Sequence, residues 1–170
     1  MSEVVSISGQ IDVSNCHPIT IFAGINVLES MELALHVAET LKGLSIKHDF
    51  NLVFKASWDK ANRTSRDSFR GPSFEQAIEI FREIKSQFEL PIITDVHEPP
   101  QAAQFATVVD VLQVPAFLAR QTDLIAAVCE TDHPILVKKM QMMSPADALR
   151  IVEKCASYGN YDVMICERGT

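Results

Sequence analysis

The sequence of 170 residues is notable first for what it lacks. Although 47% of the chain is hydrophobic, no apolar run approaches the roughly 20 residues that a membrane-spanning helix needs. The N-terminal "MSEVVSISGQ" has no basic flank leading into an apolar core, so it does not read as a secretory signal. These two features lead us to expect a cytoplasmic protein. The four cysteines, Cys16, Cys129, Cys155 and Cys166, are widely separated, with no C-x-x-C spacing. That excludes a zinc framework or a disulfide scaffold and suits small core residues in a reducing compartment. There is no G-x-G-x-x-G and no G-x-x-x-x-G-K-[ST], so dinucleotides and nucleoside triphosphates are not indicated. A broad basic face is lacking too: the net charge is −7, which argues against nucleic-acid binding. With 22% charged residues and regular apolar runs, disorder is excluded as well.

What the chain has is alternation. The segment "VVSISGQIDVS" (4–14) alternates on both sides of a glycine turn and predicts a small hairpin. Six short apolar runs follow: "ITIFAGI" (19–25), "NLVFKA" (51–56), "PIITDV" (91–96), "VVDVLQV" (108–114), "PILVKK" (134–139) and "YDVMIC" (161–166). They are continuous rather than alternating, as for strands buried on both faces of a parallel sheet. Amphipathic helices separate them. Ser73 with Gln76 makes a capping-box pattern, and Ser144 followed by Pro145 is an N-cap with proline at the first helical position. The first helix is expected over about 30–42, closed by Gly43. This order defines an α/β fold, and a doubly wound sheet and a (β/α)8 barrel both remain open. The last run is followed only by "CERGT", with no helix to cover it, which leads us to expect an incomplete chain.

The polar residues sit in a telling place. Nearly every apolar run ends in reactive or anion-binding side chains: Asn26 and Glu29, Lys55 and Ser57, Asp95 and His97, Gln113, Lys138 and Lys139, and Arg168. In a parallel α/β sheet all strand C-termini lie on one edge, so these groups converge. Several fixed cations at one mouth suit phosphate and carboxylate ligands, and the two-residue spacing puts Asp95 and His97 on one strand face. Taken singly, Lys55 and Lys138 read equally well as strand-end lysines reaching solvent, and "TDVHEPP" as a turn before a helix. His17, His36, His48 and His133 read as structural or surface residues. Met140, Met142 and Met143 read as core or interface filler.

The window "FKASWDKANRTSRDSFRGP" (54–72) carries five basic residues, Lys55, Lys60, Arg63, Arg66 and Arg70, against Asp59 and Asp67, a net of +3. Loops longer than about 12–15 residues are usually functional or disordered. The tryptophan, polar groups and Gly-Pro stop of this one favour an ordered binding loop, with Trp58 as a packing anchor.

The segments "FKASWDKANRTS", "ITDVHEP", "VLQVPAFLARQTDL" and "VKKMQMMSP" resemble those of the 3-deoxy-D-manno-octulosonate 8-phosphate (KDO-8-phosphate) synthase family, relatives of the aromatic-pathway heptulosonate phosphate synthases. The likeness runs from "NVLES" to "CERG". It implies a (β/α)8 TIM barrel with an N-terminal β-hairpin, here reaching about the sixth strand: a single partial barrel domain over 1–170, with the hairpin at 1–15 and the first six barrel strands in 16–170. It implies condensation of phosphoenolpyruvate with D-arabinose 5-phosphate, in lipopolysaccharide inner-core biosynthesis. Lys55, Lys60, Lys138 and Arg168 match the phosphoenolpyruvate-binding cations, with Gln113 and the N–H of Ala116. Ser57, Asn62, Arg63, Thr64 and Asp95 match the sugar-phosphate contacts, with His97 beside them for proton traffic. Arg66 and Arg70 have no ligand to bind and read as structural or as subunit contacts. The family also implies a homotetramer.

Metal-dependent members carry cysteine where this chain has Asn26, and an amide is a poor ligand for a transition ion. The resemblance therefore implies the metal-independent class, with no cofactor and Asn26 among the catalytic group. Family members continue for two more strands bearing a histidine, a glutamate and an aspartate of the active site. The isolated chain is accordingly expected to be unstable or inactive. Two other readings stay open: a Schiff-base aldolase using Lys138, and a non-catalytic sugar-phosphate-binding remnant.

Overall fold

The computed structural model describes residues 4–169. A short antiparallel hairpin, β1 (Val5–Ile7) and β2 (Ile11–Val13), opens the chain, its turn made by Ser8 and Gly9 at positive φ. Six parallel strands follow: β3 (Thr20–Ile25), β4 (Asn51–Ala56), β5 (Ile92–Asp95), β6 (Val111–Val114), β7 (Ile135–Lys138) and β8 (Val163–Cys166). The helices between them are α1 (Met31–His48), α2 (Phe74–Phe88), α3 (Pro99–Phe105), α4 (Thr122–Cys129) and α5 (Pro145–Ser157). The strands pair in strict chain order, β3-β4-β5-β6-β7-β8. A doubly wound sheet reverses its strand order at a switch point; this one never does. The arrangement is a six-stranded sector of a β/α barrel, and the doubly wound alternative is excluded.

Both sheet faces are covered, which explains the unbroken apolar runs. Leu52, Phe54 and Ala56 of β4 face the helices with Ile92, Leu112, Val114, Ile135 and Val137. The alternate residues Val53, Ile93 and Val111 pack with Ile7 and Ile11 of the hairpin, and Phe22, Leu136 and Met164 border the same cluster. Six flat strands would span roughly 24 Å, too wide for one residue from each to meet a hairpin of two three-residue strands. The sheet therefore curls, and the hairpin plugs the floor of the curl. Asp110 latches it there, accepting from Ser8 Oγ, from Lys85 Nζ at 2.8 and 2.9 Å and from Ile92 N at 2.8 Å.

The helix starts follow the sequence signals. Ser73 and Gln76 form the reciprocal capping box, and Ser144 caps α5 ahead of Pro145. The expected end of α1 is wrong. The helix runs through Gly43 to His48 and closes on Asp49 in the left-handed region, whose N–H bonds Ser45 O. A glycine inside a helix costs only about 1 kcal/mol, and burial of Ala34, Ala38 and Ser45 holds the helix across it.

A cation-lined mouth at the strand C-termini

Period-2 alternation carries the apolar floor into a polar mouth. Two residues beyond Val53, Ile93 and Val111 on the same face stand Lys55, Asp95 and Gln113. Asp95 is in register with Gln113, and Lys138 with Cys166. Thr94, on the opposite face, donates to Ala56 O at 2.8 Å and fixes β5 against β4.

A cavity of about 400 Å³ opens over this layer. It brings together Ser57, Lys60, Asn62, Asp95, His97, Gln113, Ala116, Lys138 and Arg168 of the residues singled out in the sequence. Lys55 lies beside it, close enough to sense the charges of Asp95, Lys138 and Lys60. Arg63 reaches a neighbouring recess with Val27, Glu29 and Phe69, its Nε donating to Phe69 O at 3.2 Å. Asn26 and Thr64 are exposed and line neither space.

The electrostatics fit anion capture. Burial pushes the Lys55 ammonium below the ordinary lysine range; Asp95 pulls against this, and Lys138 and Lys60 reinforce it. Lys60 is lowered in the same way, by burial first, with Asp95 opposing and Lys138 and Arg63 adding. Three or four mutually repelling cations around one carboxylate are uncomfortable when empty and are relieved by a polyanion. Lys60 Nζ also donates to Ser57 Oγ at 2.8 Å.

Asp95 sits 3.4 Å from His97 Nε2. Burial pushes its carboxyl upward, but the His97 imidazole and the Lys55 ammonium more than offset this and hold it below the usual aspartate range. Asp95 Oδ1, His97 Nδ1 and Gln113 Oε1 are buried with no protein partner among the described residues. Buried polar atoms are normally satisfied, so three unpartnered ones at one cavity mark a place built for a polar ligand. Among the described residues no three His, Cys, Asp or Glu side chains gather as a metal ion would need.

Several residues that the sequence reading named, or in the case of Asp59 gave no role, shape this mouth through contacts that it did not foresee. Asp59 and Arg70 brace its loop. Trp58 packs edge-on to Phe74 at 5.7 Å and lies 6.3 Å from the His97 ring, so the anchor expected in the loop also backs the histidine. Lys139 is almost wholly buried beside Lys138. Of the three methionines read as filler, Met143 is buried and Met140 packs on the core, but Met142 is 82% exposed.

A parallel β/α-barrel sector with cations and an Asp–His pair at its C-terminal mouth defines a β/α-barrel protein with its candidate site at the strand C-termini, where barrels of this class carry their sites. Residues 3–170 match the model of the DAHP synthetase I family, and the chain belongs to that family. It is 50% identical over 170 residues to a 2-dehydro-3-deoxyphosphooctonate aldolase of Shewanella halifaxensis, covering 100% of this chain and 60% of that one. It is 51% identical over 162 residues to the protein of the same name from Psychromonas ingrahamii, covering 95% and 58%. A third of that name, from Hahella chejuensis, is 49% identical over 162 residues, again covering 95% and 58%. The chain thus spans about three-fifths of the length of these curated relatives.

Proposed function

We propose that this protein condenses phosphoenolpyruvate with D-arabinose 5-phosphate, giving 3-deoxy-D-manno-octulosonate 8-phosphate and inorganic phosphate for the lipopolysaccharide inner core. The observation that carries the reading is the gathering of Lys60, Lys138 and Arg168 with Asp95, His97 and Gln113 around one cavity. Two phosphates and a carboxylate are the anions such a set would take, and the names of the relatives agree.

In this reading Lys55, Lys60, Lys138 and Arg168 hold phosphoenolpyruvate, with Gln113 and the N–H of Ala116. Ser57, Asn62, Arg63, Thr64 and Asp95 hold the sugar phosphate, Arg63 and Thr64 at its phosphate end. The C2–C3 π electrons of phosphoenolpyruvate form a bond from C3 to the aldehyde carbon, whose oxygen takes a proton. Water adds at C2 and gives up one proton, equivalent to the one the aldehyde oxygen takes. The C2–O bond to phosphate then breaks as the new C2 hydroxyl loses its second proton to the departing phosphate and becomes the ketone. Asp95 and His97 handle the protons, and the fixed cations supply proximity and charge stabilisation. Asn26 offers a neutral amide at the same edge. The setting is a homotetramer in the cytoplasm, with the 54–72 loop near a subunit boundary.

The test is phosphate release from phosphoenolpyruvate, dependent on arabinose 5-phosphate and matched mole for mole by the eight-carbon acid. Binding of both substrates without phosphate release would favour a non-catalytic protein. A borohydride-reduced adduct on Lys138 would replace condensation by Schiff-base chemistry.

A further inference from the structure

Among the described residues Lys139 is the one lysine that ranks with the largest fully buried side chains, 1% exposed, and nothing in the proposed chemistry uses it. Its Nζ donates to Met140 O at 3.2 Å, Met143 O at 3.1 Å and Gly169 O at 3.1 Å, and lies 3.2 Å from Glu167 Oε1. A lysine has three protons to donate, so these contacts saturate it. Buried and saturated, it cannot itself touch a ligand in the cavity.

Its partners explain its place. Met140 and Met143 belong to the loop after β7, and Glu167 and Gly169 to the segment after β8. Glu167 Oε1 in turn accepts from the backbone N–H of Arg168 at 2.8 Å and of Gly169 at 2.7 Å. Desolvation pushes the Glu167 carboxyl upward, but Lys139 and those two N–H groups outweigh it and hold the group ionised to lower pH than usual. Lys139 N donates to Cys166 O at 3.1 Å, one residue beyond the register pair of Lys138 and Cys166. The latch is therefore flanked on both strands by a cavity cation: Lys138 precedes Lys139, and Arg168 follows Glu167.

We propose that Lys139 and Glu167 form a positioning pair that sets the spacing of Lys138 and Arg168, and so the fit of the site for one anionic ligand. Resting on the function proposed above, that ligand is phosphoenolpyruvate, and the pair acts on it rather than on the sugar phosphate. A buried ammonium anchored to carbonyls of two loops fixes both backbones at once, which neither loop can do alone. A displacement of about 1 Å at a binding group is enough for large losses.

The test compares Lys139→Met, Glu167→Ala and Glu167→Gln in the full-length protein. Glutamine keeps Oε1 as an acceptor for the two N–H groups. We expect KM for phosphoenolpyruvate to rise about tenfold or more in Lys139→Met and Glu167→Ala, and about threefold or less in Glu167→Gln, with KM for arabinose 5-phosphate changed less than about twofold. Because Glu167 is 60% exposed, the Glu167→Ala protein tests the idea even where Lys139→Met does not fold. Unchanged KM for phosphoenolpyruvate with a lowered Tm, or an equal rise in both KM values, would overturn the proposal. If the unaltered protein releases no phosphate, it is the proposed function that fails. Calorimetric binding of inorganic phosphate and of phosphoenolpyruvate then decides the pair, which is refuted if Glu167→Ala binds both as tightly as the parent.

Discussion

Asp59 and Arg70 grip each other across the base of the loop after β4: Nε donates to Oδ1 at 2.8 Å and Nη2 to Oδ2. Lys60 N donates to Arg70 O at 2.7 Å beside them. The two-point guanidinium–carboxylate fork closes residues 59–70 into one ordered loop that carries Lys60, Asn62 and Arg63. A lysine at 70 would hold one point of that fork but not its plane. Arg70→Ala and Arg70→Lys should both lower kcat/KM, by about tenfold for alanine, as expected when positioning is lost. Gly71→Ala should do more: its Cβ would stand 1.9 Å from Trp58 O, at a φ of +143°. Steady-state kinetics beside a thermal melt separate this from global unfolding, which would lower Tm and leave KM unchanged.

The lowered lysines give a pH signature. Lys55 and Lys60 lose their protons below the ordinary lysine range, burial being the first cause in both. Affinity for an anion should therefore fall as pH rises, starting below the range where an unperturbed lysine near 10.4 would titrate. Ligand binding should be accompanied by proton uptake on that limb. Lys55→Arg keeps its charge throughout, so the limb should move to higher pH in that variant. Calorimetry in buffers of different ionisation enthalpy reads both effects. For stability the sign is opposite: a lysine with depressed pKa binds fewer protons folded than unfolded, so folding stability should rise with pH across that window.

Much of this was legible in the sequence because it depends on pattern. The six apolar runs and the polar residues at their ends follow from burial on both sheet faces and from period-2 alternation. Strand order and curl are legible only through the family resemblance, since periodicity alone does not tell a barrel from a doubly wound sheet. Gly43 misled because glycine is permissive at helix ends yet tolerable inside them. Lys139 read as a strand-end cation like Lys138, but it is buried and absent from the cavity lining. That burial was not legible because it is created by two loops from different strands, 30 residues apart at Gly169. The brace role of Arg70 likewise depends on an aspartate 11 residues back, a pairing that neither helical nor strand period announces. Thr64 was placed by motif alone and Asn26 by its strand end as well as by motif, and both lie outside the cavity lining.

The floor of the curl should matter for stability more than for chemistry. Ile7 is fully buried against Val53, Ile93 and Val111. Truncation of a buried isoleucine to alanine costs about 2–5 kcal/mol, the cavity term included. Ile7→Ala should lose stability in that range in a denaturant titration. The substrate KM values should hold, because the polar layer lies two residues further along each strand. A change in KM at unchanged stability would mean that the hairpin reaches the site by another route.

Metal removal is a direct check on the reading of Asn26. With an amide at the end of β3 in place of a thiolate, prolonged treatment with a strong chelator should leave the rate of phosphate release unchanged. Added manganese, zinc or cadmium should not raise it. Loss of most activity on chelation, restored by a divalent ion, would refute the metal-independent assignment.

The Asp95–His97 pair is where the proposed chemistry is most exposed to disproof. Asp95 has its imidazole partner at 3.4 Å and one carboxylate oxygen buried without a protein partner among the described residues. Its carboxyl stays ionised below the usual range, since His97 and Lys55 outweigh the burial that pushes it up. A carboxylate depressed in this way stabilises the fold above its unfolded pKa, and that contribution is lost as pH falls through the folded value. Asp95 protonation should therefore not set the acid limb of activity near neutral pH. Asp95→Asn keeps shape and removes charge, and should lower kcat by about 10²–10⁴-fold, the usual worth of a positioned proton-transfer group. It should also lower the Lys55 and Lys60 pKa values further, because the charge that most opposes their depression is gone. The alkaline limb of anion binding should then shift to lower pH in the same variant. A near-normal kcat together with an unmoved alkaline limb would remove Asp95 from both roles.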